Sequence, residues 1–142
     1  MKLQNFEIIS SIELRSENGI WDLHNGGNFN GLELLPTENA AIMRWGTAYP
    51  WRAVENNFSG LELRFRDLEF LRVGPRDPNL PPSEDTCVSA IDRLDPNIDN
   101  EDSYLRGTRK FDFSDAFRWV FRFQSRRTIE IGCGTVELIP VA

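Results

Sequence analysis

Strict alternation of apolar and charged residues narrows most what this chain can form. In Gly60-Leu61-Glu62-Leu63-Arg64-Phe65-Arg66, the apolar Leu61, Leu63 and Phe65 share one face of an extended strand. Glu62, Arg64 and Arg66 take the other. A helix would scatter them around its circumference, so the segment is a half-buried strand. The period returns where Trp119, Phe121 and Phe123 alternate with Val120, Arg122 and Gln124. Ser125-Arg126-Arg127 then turns the chain, and Ile129, Ile131 and Cys133 line one face of the return. Thr135 to Val141 reads as a last strand, with Pro140 marking its end as a sheet edge. Phe6 to Arg15 reads as a first strand, closed by the Glu17-Asn18-Gly19 turn and continued by Ile20-Trp21-Asp22-Leu23.

An internal echo organises the middle. Asn28-Phe29-Asn30-Gly31-Leu32-Glu33-Leu34 recurs as Asn57-Phe58-Ser59-Gly60-Leu61-Glu62-Leu63. Each copy leads to a second apolar run, Ala41 to Gly46 and Leu68 to Gly74. The pattern predicts successive hairpins, the second turning at Arg66-Asp67, with Gly31 and Gly60 admitting a bulge or a close backbone approach. Two copies fall short of the about three that a solenoid needs.

Two segments carry helical signals. Ser83-Glu84-Asp85 after Pro81-Pro82 is a helix start, and Cys87, Val88, Ile91 and Leu94 fit a helical stripe. Helix is the expectation for 84–93, with strand as the alternative. A helical turn is expected at Ser114–Phe117 before the aromatic strand. Pro75 to Pro82 reads as a stiff surface loop, and the acidic stretch 95–108 as a long polar one. The fold class is therefore mainly β: an antiparallel β-sandwich or a strongly curved, partly closed sheet of about 7–9 short strands, with one or two short helices. All 142 residues are expected in one domain.

Composition excludes several classes. Sixteen Lys+Arg against 22 Asp+Glu leave a net charge of −6, which disfavours a nucleic-acid partner. No apolar run reaches the roughly 18 residues of a membrane span, and none near the start suits a secretory signal. A cytoplasmic, bacterial protein is the expectation, with Cys87 and Cys133 as buried thiols rather than a disulfide. Arginine outnumbers lysine fourteen to two. Arg64, Arg66 and Arg72, interleaved with Glu62 and Glu69, are expected to form cross-strand ion pairs.

No catalytic motif emerges. His24 is the single histidine, sits in a turn-rich stretch and has no nucleophile motif to serve. Gly26-Gly27-Asn28-Phe29-Asn30-Gly31 matches neither phosphate-binding glycine pattern and reads as a turn with a bulge. Asp95, Asn97 and Asp99 begin like a calcium loop, but Arg106 stands where the bidentate Glu belongs, so a solvated acidic loop is expected. No catalytic residue, metal site or cofactor is assigned.

The stretch Arg44-Trp45-Gly46-Thr47-Ala48-Tyr49-Pro50-Trp51-Arg52 gathers the residue types enriched at binding hot spots. Trp45, Tyr49, Trp51 and Arg52 are therefore the candidate binding residues, unless the loop folds back and buries Trp51. The expected function is a non-enzymatic protein-binding domain, of inhibitor or immunity-like character, facing a basic partner. A carbohydrate- or small-ligand-binding β-sandwich is the alternative, and an enzyme working through carboxylates the third. Neither nucleic acid nor membrane is expected as a partner; self-association stays open.

Overall fold

The computed structural model describes residues 1–48, 51, 54, 58–94 and 117–142. The strands are β1 (Lys2–Leu3), β2 (Phe6–Ile8), β3 (Glu13–Ser16), β4 (Gly19–Asp22), β5 (Gly27–Leu35), β6 (Ala40–Thr47), β7 (Gly60–Val73), β8 (Val88–Leu94), β9 (Arg118–Phe123) and β10 (Thr128–Val141). The main sheet runs β5-β6-β7-β10-β9-β8, with β1 added parallel to β10; β2, β3 and β4 form a second, small sheet. The main sheet curves into a half-barrel, the partly closed form anticipated from the alternation.

The long β7–β10 ribbon produces the curvature. The first half of β7 pairs with β6 and with the second half of β10. Its second half pairs with the first half of β10, whose other side is taken by β9. Between the halves Asp67 adopts a left-handed φ of 54°, and the register shifts by one residue so that Glu69 is extra. A bulge of this kind bends a strand and increases its twist. Phe121 of β9 thereby faces Trp45 of β6 at 5.8 Å, and Phe123 faces Phe29 of β5 at 4.8 Å.

Inside the curve lie Leu61, Leu63, Phe65, Trp119, Phe121, Ile131 and Val136, all fully buried. The small sheet covers one side, adding Leu14 and Trp21 and stacking Phe6 on Trp119 at 5.9 Å. Ile91 N–H donates to the Ser11 carbonyl at 2.6 Å, joining the two sheets. Removing one such aromatic ring costs about 3–5 kcal/mol.

Several expectations are met. Gly31 lies at a bulge opposite Arg44, and Gly60 lies so close to the Trp45 carbonyl that a Cβ could not be placed. The β3–β4 and β9–β10 hairpins form, the latter with Arg126 at φ 68°. Pro140 falls where expected: residues 136 and 138 bond away from β7, so the Pro140 nitrogen points to the same unpaired side and removes nothing from the β7 ladder.

Others are corrected. Arg66-Asp67 does not reverse the chain; it bends a single strand, because both halves of β7 find their hydrogen bonds on β10. Phe6 to Arg15 is a hairpin of β2 and β3 rather than one strand. The 84–93 segment holds a short 3-10 turn, Pro82–Thr86, and then strand β8, whose backbone pairs with β9. No α-helix occurs among the described residues. The Ser114–Phe117 turn and the 95–108 loop, with its calcium reading, fall outside the described residues except for Phe117.

Candidate functional site

Trp45 and Trp51 serve the core. On β6, Ala41, Met43 and Trp45 point inward and Arg44 outward, so Trp45 is only 2 % exposed and packs on Phe29 at 5.3 Å. Trp51 is 7 % exposed, meets Trp21 edge-on at 5.2 Å and donates its Nε1–H to Thr47 Oγ1 at 3.0 Å. Neither indole offers a face to a partner, which corrects the exposed reading of these two residues. Tyr49 and Arg52 lie outside the described residues. Alternation about Arg44 was the signal that assigned Trp45 to the core.

His24 and Cys87 come together without forming a catalytic pair. The Cys87 sulfur is 3.5 Å from His24 Nδ1, and that nitrogen is 2.7 Å from the Val88 carbonyl. A carbonyl only accepts, so Nδ1 carries the proton and cannot take one from the thiol. Burial, and then the charges of Glu84 and Asp22, push the Cys87 pKa up, the opposite of nucleophile activation. The contact is a latch between the chain before β5 and the start of β8. Among the described residues no group of three His, Cys, Asp or Glu side chains converges on a metal-binding point.

Of the arginines expected to pair across strands Arg66 does so, whereas Arg64 reaches Glu62 on its own strand at 3.8 Å. Glu33 and Glu62, the equivalent acids of the echo, both bind Arg44, at 2.6 and 3.0 Å. Arg66 pairs with Glu137 at 2.9 Å. These half-exposed pairs each contribute well under about 1 kcal/mol, and they leave the face polar and charge-balanced.

A second cluster had no sequence signal. Arg76 and Arg127 flank Asp85 at 2.9 and 3.7 Å, and Arg76 also donates to the Leu80 and Pro81 carbonyls. The fully buried Ser125 stands beside them. Its hydroxyl first, and the two guanidiniums after it, hold the Asp85 carboxyl below its usual range. The cluster fastens the Pro-rich loop onto the β9–β10 turn.

The β5 edge differs from these packed clusters. Among the described residues β5 ends the main sheet and pairs with β6 alone. Phe29 lies 4.8 Å from Phe123 of β9, and the Asn30–Gly31 bulge follows it. Leu34 is in register with the fully buried Ala41, so it points to the core side, yet it is 52 % exposed. Glu38, four residues on, is exposed. Among the described residues the edge thus offers backbone groups without a strand partner, an apolar side chain and a carboxylate.

Comparison with protein-family models, with curated proteins and with solved structures returned no match. No helix among the described residues is long and apolar enough to cross a membrane.

Proposed function

We propose that this protein is a non-enzymatic binding module that captures another protein along the β5 edge of its half-barrel. The observation that carries this is the outer side of β5, which has no strand partner among the described residues, with Leu34 exposed on the core face. A long edge with an exposed apolar residue is a template for strand pairing, which folded proteins usually blunt. Here the blunting is partial: the Asn30–Gly31 bulge and Pro36 bound a short regular segment, Leu32 to Leu35. A partner contributing one extended strand would gain main-chain hydrogen bonds there and cover Leu34. Exposed Glu38 and the net charge of −6 favour a basic strand and speed its encounter.

A cytoplasmic setting suits the two unpaired thiols. The carbohydrate alternative asked for exposed aromatic rings, and Trp45 and Trp51 do not supply them.

The test is capture from lysate of the source cells with the wild-type chain and with Leu34→Lys, compared side by side. Leu34 is exposed, so the variant keeps its fold. A protein retained by the wild type and lost with Leu34→Lys supports the β5 edge. Identical captures by both baits reject it.

A further inference from the structure

We propose that β10 carries a second, exchangeable strand-binding edge at Thr135–Leu138, now occupied by the chain's own residues 1–5. Its external ligand is an extended segment of another protein with the same pattern: apolar residues at alternate positions and an Asn two residues beyond the second. This surface is distinct from the β5 edge and does not depend on it.

β10 has β7 along its whole length, but its other side is shared. β9 takes Thr128 to Ile131; farther on, the first five residues are the ones present among the described residues. They run parallel to β10, with Lys2 opposite Thr135 and Leu3 opposite Val136. Gln4 N–H donates to the Val136 carbonyl at 2.9 Å. At Asn5 the backbone leaves the edge to enter β2, and the side chain takes over. Its Nδ2 donates to the Leu138 carbonyl at 2.7 Å, and its Oδ1 accepts the Leu138 N–H at 2.9 Å. One side-chain amide thus replaces one peptide group. The next outward position is Pro140, which has no N–H, so the edge stops there.

The segment sits as a bound peptide sits. Met1 and Leu3 pack against the core, while Lys2 and Gln4 are exposed. Main-chain bonds to an edge, with alternate side chains entering apolar sites, are the general mode of strand addition. A two-residue parallel pair next to a fourteen-residue ladder is the part of such a sheet that opens first. When it opens, Val136 and Leu138 present three main-chain groups already spaced for another strand.

The full chain carrying Leu3→Glu and Asn5→Ala vacates the edge. The probe is a labelled peptide of residues 1–6, Met-Lys-Leu-Gln-Asn-Phe, followed by fluorescence anisotropy. The expected result is saturable binding to the variant and at least about tenfold weaker binding to the native chain, where the tethered segment competes. A peptide with its Leu replaced by Glu should lose the binding. No binding by a folded variant, equal binding to native chain and variant, or equal binding of both peptides overturns the proposal. Should the variant fail to fold, hydrogen exchange of the native chain decides. The Gln4 and Leu138 amides should exchange at least about tenfold faster than those of Leu63 and Phe65 on β7. Equal rates mean that the segment leaves only with global unfolding, and the proposal falls.

Discussion

The ring of Trp51 occupies the space beside Gly27, where a Cβ would lie 2.7 Å from Cη2. Trp51 also crowds Gly26, at 2.8 Å, so these glycines are the seat of the Trp51 ring. Gly27→Ala should cost about 1–3 kcal/mol as Trp51 shifts out of place. Gly60→Ala should cost more, because its obstacle is the Trp45 backbone carbonyl, which cannot swing aside. Urea unfolding followed by tryptophan fluorescence measures both. Wild-type stability in Gly27→Ala would mean that Trp51 does not rest on Gly27.

Asp67 tests how the long ribbon bends. At φ 54° a residue with a Cβ is strained, and a β-branched one severely so. Asp67→Gly should leave stability unchanged or raise it by up to about 1 kcal/mol, whereas Asp67→Val should lower it by about 1–2 kcal/mol. The difference in urea midpoints between these two variants is the measurement. If they coincide, the bend does not depend on a left-handed residue at this position.

Asp85 should make stability acid-sensitive. Its carboxyl is held below the ordinary value of 3.8 by the Ser125 hydroxyl and then by Arg76 and Arg127. A group that ionises more readily when folded adds stability above its unfolded pKa, and that stability fades as pH falls through the lower folded value. Asp85→Asn should therefore be less stable than wild type at pH 7, and the gap should close as pH falls below 3.8. A gap of constant size across that range would exclude the carboxylate charge as its source.

The thiols should be quiet, to different degrees. Burial pushes Cys133 up to about 12, and it raises Cys87 less far. In the native protein Cys87, partly exposed, should react slowly with iodoacetamide at pH 8, and Cys133 only on unfolding. Because the folded Cys133 pKa is raised from 9.0, its contribution is present below that pH and is lost as pH climbs toward 12. The loss is of order 4 kcal/mol. Cys133→Val should flatten that alkaline decline in urea titrations between pH 8 and 11. Rapid labelling of native Cys133 would contradict its burial.

Much of the scaffold was legible in the residues. Leu61, Leu63 and Phe65 went to the core and Glu62, Arg64 and Arg66 to the outer face, because a strand's side chains alternate whatever lies next to it. Gly31 and Gly60 marked a bulge and a close approach for an equally local reason: the positive φ of Gly31 favours glycine, and only a missing Cβ lets Gly60 lie against the Trp45 carbonyl. The candidate site was less legible. Trp45 and Trp51 carry the composition of a hot spot, and composition is blind to whether a ring faces in or out.

By itself, then, the sequence determined the buried face of the strands that alternate strictly, Gly60 to Arg66 above all, and where the backbone must be bare of side chains. These are properties of a few consecutive residues. Only the tertiary structure decided which strands become neighbours. Leu68 to Val73 continues β7 instead of turning back, and Val88 to Leu94 is strand instead of helix, because β10 and β9 offer their backbone groups the better partners. The same holds for the outer side of β5 and for the hold of Asn5 on Leu138. Hydrogen-bond partners in a sheet come from far along the chain, and local pattern cannot name them.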